Sequence, residues 1–183
     1  MSKLIINGNS RLSGEVNIHG AKNSVLPILA ATVLCRGKSG IHNCPELSDV
    51  NTSLNILKHL GCKCSFKGNT VTVDTNTLVC SRIPDELMRE MRSSVVFLGA
   101  ILGKCGNAVI SSPGGCELGP RPIDLHVSAL KKLGATVCEK HGNIEFYPPD
   151  GLKGCEINLS FASVGATENI ILAAVNAAGI TVI

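Results

Sequence analysis

The chain has 183 residues, a formal net charge of +3 and an apolar content of 44%, a composition typical of a globular protein with a sizeable core. Aromatic residues make up only 3% and basic runs are sparse, which argues against nucleic-acid binding because that needs stacking surfaces and dense positive charge. No segment approaches the ~18 consecutive apolar residues of a membrane span, and the N-terminus lacks the apolar core of a signal peptide. We therefore expect a cytoplasmic protein with no nucleic-acid or membrane partner.

The sequence contains a repeat, and the first helix of each copy is apolar. Three apolar runs predict first helices that are buried on every side, and each run leads through a glycine to a short strand. The runs and their glycines are residues 23–31 with Gly37, 93–100 with Gly106, and 169–174 with Gly179. The third copy stops in its second strand, and we expect it to continue in a longer protein because a chain rarely ends in an unpaired apolar strand.

The first two copies continue in the same way. A proline-containing loop leads to an amphipathic second helix with an exposed face, which ends in Leu-Lys-x-Leu-Gly at 57–61 and 130–134. The closing glycine is typical of the position after a helix C-terminus. A hairpin then turns at 67–69 and at 141–143. Each unit reads strand, helix, strand, helix, strand, strand, so the sequence predicts an α/β fold of repeated units around one core.

Nine cysteines occur at irregular spacings, mostly inside apolar runs. Without an export signal this pattern favours reduced core thiols over a disulfide framework. A zinc site is a more specific alternative, with the pairs His42 and Cys44 and Cys62 and Cys64 as ligands. Neither pair has the Cys-x-x-Cys spacing that is typical of zinc sites. We expect no metal.

The starts of the first helices share features of an anion site. They lie at residues 20–23, 91–94 and 163–167. Helix N-termini present free N–H groups and a positive dipole end, and Lys22 and Arg92 add charge at two of the three starts. Ordinary capping explains any single start, but the repetition favours a site for a small, highly charged substrate.

Residues 112–122 form a glycine- and proline-rich loop that contains one thiol, Cys116, five residues before Arg121. Gly114 and Gly115 allow a tight bend, while the prolines on both sides of Arg121 hold it extended. One interpretation is a catalytic lid, in which the thiol lies on a movable loop beside a fixed cation. The other interpretation is a surface turn that happens to contain a cysteine.

Four motifs resemble those of the bacterial UDP-N-acetylglucosamine 1-carboxyvinyltransferases. They are Gly-Ala-Lys-Asn-Ser at 20–24, Met-Arg at 91–92, Pro-Gly-Gly-Cys-x-Leu-Gly-x-Arg-Pro-x-Asp-Leu-His at 113–126, and Ser-Val-Gly-Ala-Thr at 163–167. The resemblance implies an inside-out α/β barrel, the enolpyruvyl transferase fold, in which three βαβαββ repeats surround buried helices. It assigns residues 1–12 to an opening strand that completes a second domain, and the repeats to 13–77, 78–150 and the truncated 151–183.

The resemblance also implies a reaction, the first committed step of peptidoglycan synthesis. The enolpyruvyl group of phosphoenolpyruvate moves to the 3-hydroxyl of UDP-N-acetylglucosamine, phosphate leaves, and no cofactor is needed. Cys116 would be the proton donor. Phosphoenolpyruvate would be bound by Lys22, Asn23, Arg92 and Arg121. UDP-N-acetylglucosamine would be bound by Asn23, Arg92, Arg121, Pro122, Ile123, Asp124, Leu125, Ser163, Val164 and Gly165.

Two alternatives stay open. The shikimate-pathway enolpyruvyl transferase shares the implied fold but lacks the Pro-Gly-Gly-Cys loop, so Cys116 argues against it. A non-catalytic domain that binds a UDP-sugar is the other. Because the resemblance places the general base in a second domain of the same protein, we expect these 183 residues not to turn over alone.

Overall fold

The structure is a computed structural model, and it describes residues 3–8, 11–91, 93–111 and 123–183. The helices are α1 (Lys22–Ala31), α2 (Ser48–His59), α3 (Asp85–Glu90), α4 (Val96–Cys105), α5 (Asp124–Lys132) and α6 (Val164–Ala174). The strands are β1 (Lys38–Ile41), β2 (Lys63–Lys67), β3 (Thr70–Asp74), β4 (Arg82–Ile83), β5 (Ala108–Ser111), β6 (Thr136–Lys140) and β7 (Asn143–Tyr147).

Two sheets repeat one strand order. The first sheet is β1-β3-β2 and the second is β4-β5-β7-β6, with β4 and β5 parallel and the other neighbours antiparallel. After β7, parallel bridges join Lys153 to Ala178 and Glu156 to Val182, as β4 joins β5. The predicted order of helix, strand, helix, strand, strand is therefore present twice, but the opening strand of the unit is seen only in the second copy, as β4. Within the described residues the two sheets stay separate without closing into a barrel.

The predicted helix ends and hairpins are confirmed. Gly61 and Gly134 follow α2 and α5 with φ of 97° and 99°, the left-handed backbone that glycine adopts without steric cost. The β2–β3 hairpin turns at residues 68–69, and the β6–β7 hairpin turns at 141–142. The short helix α3, which precedes α4, was not predicted.

Helices occupy the centre of the core. Helix α4 packs against both α1 and α6, and every residue from 96 to 102 is buried. The prediction of burial on every side is correct for α4 and wrong for its neighbours, since Ile28 of α1 is 48% exposed and Ile171 of α6 is 50% exposed. The difference arises because α4 lies between the other two helices, whereas each of them has one outer face.

Residues 3–8 and 11–21 belong to no helix or strand in the structure. Their large apolar side chains, such as Ile5 and Val16, are more than three-quarters exposed. The Gly20 amide donates to the carbonyl oxygen of Asn43 at 3.1 Å, just beyond the end of β1. The opening strand at 1–12 and the repeat boundaries stay predictions.

Candidate active site

The starts of α1, α4 and α6 meet at one cavity of about 430 Å³. Helix α2 adds one carboxylate to its wall. The lining residues are Lys22, Asn23, Leu26 and Pro27 from α1, Asp49 from α2, Ser93 and Val96 at the start of α4, and Val164 and Glu168 from α6. The repetition seen in the sequence thus brings three helix starts together, and their binding of an anion stays a prediction.

Lys22 opens α1 and contributes a cationic group to this wall. Its Nζ lies 2.5 Å from Oδ2 of Asp49, and about half of the Lys22 side chain is exposed. Asp49 belongs to the first turn of α2, where a negative charge is favoured by the helix dipole. The pair therefore links the first and second helices of the first repeat in the wall of the cavity.

Helix α6 begins with a side-chain cap. The Oγ of Ser163 accepts a hydrogen bond from the Ala166 amide at 3.3 Å, and the hydroxyl of Thr167 donates to the Ser163 carbonyl at 2.8 Å. Val164, the first residue of the helix, is 76% exposed. The amides of Val164 and Gly165 precede the first intrahelical bonds, so they can donate to an oxygen anion.

The start of α5 lies beside the start of α6. Nδ1 of His126 is 2.8 Å from Nδ2 of Asn169, and a Cβ placed on Gly165 would lie 3.8 Å from Cε1 of His126. Ile123 is the N-cap residue of α5 and Leu125 is partly buried in its first turn. The predicted segments 123–125 and 163–165 therefore open adjacent helices.

Asp124 is placed apart from this cavity. It lines a separate, open depression of about 550 Å³ along α5, together with Val127, Ser128, Lys131 and Lys132. Four further predicted site residues, Arg92, Cys116, Arg121 and Pro122, lie outside the described residues. Of the predicted set, the structure brings Lys22, Asn23 and Val164 to one cavity.

Burial shifts the pKa of two titratable side chains near the site. Burial raises the pKa of the Glu168 carboxyl, which faces the cavity. Burial lowers the pKa of His126 on α5. Both shifts favour the neutral form of the group.

Sequence reasoning missed three polar residues here: Asp49, Glu168 and Asn169. Ser93, which also lines the cavity, lies within the helix start predicted at residues 91–94. The clearest available signal was the polar pair Glu168 and Asn169 inside the mostly apolar α6. Two polar residues in such a helix call for partners, because a buried polar group without a hydrogen bond is costly. No comparable signal pointed to Asp49, whose position in the first turn of α2 is that of an ordinary helix-start acid.

The zinc alternative finds no support. Nδ1 of His42 is 3.2 Å from the Thr70 hydroxyl, and burial raises the pKa of the Cys62 and Cys64 thiols to about 11. Within the described ranges, no group of three or more His, Cys, Asp and Glu side chains could hold a metal ion. The eight cysteines of those ranges are free thiols, although only Cys44 and Cys62 are buried.

None of the helices in the described ranges is long and apolar enough to cross a membrane. The longest, α2, has 12 residues.

Solved structures share this fold. The enolpyruvyl transferase NikO from Streptomyces tendae superimposes with a TM-score of 0.80 at 22% identity, over 95% of this chain and 41% of that one. The EPSP synthase from Acinetobacter baumannii gives a TM-score of 0.69 at 19% identity, over 90% of this chain and 38% of that one. These likenesses confirm the predicted enolpyruvyl transferase fold.

Curated relatives match over the whole chain. UDP-N-acetylglucosamine 1-carboxyvinyltransferase 2 of Caldanaerobacter subterraneus subsp. tengcongensis is 55% identical, and the protein of the same name from Latilactobacillus sakei is 45% identical. Both alignments cover 100% of this chain, which spans 44% of the length of each relative. The predicted resemblance is confirmed. The family model described as EPSP synthase (3-phosphoshikimate 1-carboxyvinyltransferase) matches residues 6–183, and the chain therefore belongs to that family.

Proposed function

We propose that this chain forms the part of an enolpyruvyl transferase that binds phosphoenolpyruvate and UDP-N-acetylglucosamine and supplies the proton donor. The observation that carries the proposal is the cavity in which Lys22 and Asn23 of α1 meet Val164 at the start of α6. The 45–55% identity to relatives named for UDP-N-acetylglucosamine supports that acceptor. We also propose a cytoplasmic location, as the composition predicts.

Phosphoenolpyruvate brings a phosphate and a carboxylate, and the cationic groups of the site match them. Lys22 supplies a compact charge at the cavity, and Asn23 beside it supplies an amide. Arg92 and Arg121 are proposed to grip oxygens in a bidentate fork, as the guanidinium geometry allows. The same cations would also meet the nucleotide's charges.

UDP-N-acetylglucosamine is a larger molecule than phosphoenolpyruvate and needs a longer binding surface. We propose that its diphosphate meets the first-turn amides of α6 at Ser163, Val164 and Gly165, because a helix start favours phosphate oxygens. Its remaining contacts are proposed for Asn23, Arg92 and the segment 121–125, whose last part opens α5 next to Gly165. Asp124 would then lie at the outer end of this surface, since it lines the depression along α5.

The proposed chemistry is addition followed by elimination. Cys116 gives its proton to C3 of phosphoenolpyruvate, C2 becomes electrophilic, and the 3-hydroxyl adds there to form a tetrahedral ketal. Return of a proton from C3 to the Cys116 thiolate left by the first step, with loss of phosphate from C2, restores the double bond. A thiol with an ordinary pKa of ~8.5 is mostly protonated at neutral pH, so it can act as the acid. The base for the hydroxyl is proposed to lie in a second domain of the same protein.

Binding by the 183-residue chain is the first test. Saturation transfer NMR with UDP-N-acetylglucosamine is expected to show contact, and 3-phosphoshikimate, the ligand of the rival activity, is expected to show none. Lys22→Ala should weaken binding of phosphoenolpyruvate, whereas Lys63→Ala, which removes an exposed lysine from β2, should not. Contact with 3-phosphoshikimate in place of the UDP-sugar would overturn the proposal.

The proton donor is tested by turnover in a protein of the relatives' full length. Cys116→Ala should nearly abolish phosphate release, and Cys116→Ser should be poor because a hydroxyl is too weak an acid. Cys116→Asp should keep substantial activity with a lower pH optimum, since an ordinary Asp titrates near ~3.9. If Cys116→Ala retains most of the parent rate, residues 112–122 are a structural turn. Phosphate release by the 183-residue chain alone would contradict the need for a second domain.

A further inference from the structure

Asn169 is a fully buried polar residue in the second turn of α6. Its Oδ1 accepts a hydrogen bond from the Gly99 amide of α4 at 2.5 Å, and its Nδ2 donates to the Val95 carbonyl at 3.1 Å. The same Nδ2 lies 2.8 Å from Nδ1 of His126 on α5. One side-chain amide therefore joins the starts of three helices.

The backbone partners determine how this amide is oriented. An N–H group can only donate and a carbonyl can only accept, so the Asn169 oxygen faces Gly99 and its nitrogen faces Val95. The second hydrogen on Nδ2 then points at Nδ1 of His126, which has to accept it. His126 is accordingly neutral and carries its proton on Nε2. The lowered pKa of His126 acts in the same direction.

The backbone of α4 leaves room for this contact. A Cβ placed on Gly99 would collide with the backbone carbonyl oxygen and with Oδ1 of Asn169. Val95 and Gly99 are separated by one helical turn, so the amide binds along the first turn of α4. This turn also carries Val96, which lines the cavity. Asn169 and Gly99 together set how closely α6 approaches α4 at the site.

We propose that Asn169 is a positioning residue for substrate binding, acting through His126 and the first turn of α4. His126 directly follows Leu125, the end of the segment proposed for UDP-N-acetylglucosamine, and its ring borders Gly165, the end of the other proposed segment. The Asn169 amide thereby holds segments 123–125 and 163–165 at a fixed separation beside the cavity. This inference rests on the proposed function, and it assigns Asn169 no contact with substrate.

The test separates the effect of losing the hydrogen bond between Asn169 and His126 from the effect of changing the size of the side chain. His126→Asn keeps an acceptor near the position of Nδ1, while His126→Leu removes the acceptor at similar size. Because His126 is only partly buried, both variants leave the core untouched. Asn169→Leu removes the whole contact. Thr75→Val is the matched control, since it removes a buried hydroxyl that donates to the Cys35 carbonyl at 2.9 Å in the first repeat.

Dissociation constants for UDP-N-acetylglucosamine are measured on the 183-residue chain by calorimetric titration at neutral pH. We expect the parent, His126→Asn and Thr75→Val to agree within about threefold. His126→Leu and Asn169→Leu should bind about tenfold more weakly, the size expected when one buried hydrogen bond no longer holds the site. The ¹⁵N spectrum of the parent imidazole should show the proton of His126 on Nε2.

Each outcome decides between the proposals. If the parent binds and both leucine variants bind equally well, the positioning role is wrong while the proposed function stands. An equal loss in Thr75→Val would show that general destabilisation weakens binding, and a proton on Nδ1 would contradict the assigned hydrogen bond. If the parent itself does not bind, the proposed function fails and this inference fails with it.

Discussion

Replacing Gly99 by alanine should strongly destabilise the chain, although alanine is the better helix former. A Cβ at this position would collide with the backbone carbonyl oxygen of Asn169 and with its Oδ1. Neither atom can move freely, because one belongs to the backbone of α6 and the other accepts the Gly99 amide hydrogen. Overpacking costs about 1–3 kcal/mol, loss of the buried hydrogen bond about 1–3 kcal/mol, and the helix gains about 1 kcal/mol. We expect a net loss of about 3 kcal/mol in the free energy of unfolding.

Gly103→Ala is the matched control, one turn further along the same face of α4. A Cβ there would lie 3.1 Å from the Leu172 carbonyl oxygen and 3.2 Å from that of Ala173, contacts that a small shift relieves. The gain in helix propensity then roughly offsets the tight packing, so its free energy of unfolding should stay within about 1 kcal/mol of the parent. Urea unfolding followed by circular dichroism measures both variants. If Gly99→Ala is as stable as Gly103→Ala, the close contact between α4 and α6 is wrong.

Two further predictions concern α5 and α6. Ser163→Ala should lower the free energy of unfolding by about 1 kcal/mol, because it removes the N-cap acceptor of the Ala166 amide. Urea unfolding measures this variant beside a control, Ser128→Ala on the exposed face of α5. Equal stability of the two variants would contradict the prediction. Since burial lowers the pKa of His126, the unfolded chain binds more protons than the folded one below its ordinary pKa of ~6.5. The free energy of unfolding should therefore fall as the pH drops from about 6.5 towards the lowered pKa of folded His126, by at most about 1.4 kcal/mol per pH unit. The His126→Asn variant should lack this part of the fall. Identical pH profiles of the free energy of unfolding for the parent and the variant would refute the prediction.

Local features of the fold could be predicted because they depend on local chemistry. The glycines after α2 and α5 marked the helix ends, and the Gly-Asn pairs at 68–69 and 142–143 marked the hairpins. The apolar runs located α1, α4 and α6, and their spacing revealed the repeat. From that repeat it followed that the helix starts face the same way, which is how Lys22, Asn23 and Val164 come to share one cavity.

Lateral contacts could not be predicted in the same way. An apolar run shows that a helix is buried, but it does not show which helix lies in the middle, so the exposed faces at Ile28 and Ile171 were missed. The hydrogen bonds of Asn169 join residues 43, 70 and 74 positions apart in the sequence. Such contacts depend on the packed arrangement of helices, which periodicity does not encode.

The ion pair between Lys22 and Asp49 means that a bound anion would replace an internal counter-charge. The Asp49 carboxylate already displaces part of the water around the Lys22 ammonium. A ligand that binds Lys22 therefore has less of this water to displace. Once released, Asp49 still lies in the first turn of α2, where the helix dipole continues to stabilise its charge. Binding of an anion at Lys22, as proposed, would therefore be an exchange between two anionic partners. Its affinity should depend less on ionic strength than the affinity of an unpaired surface lysine, because the net change in charge contacts is small.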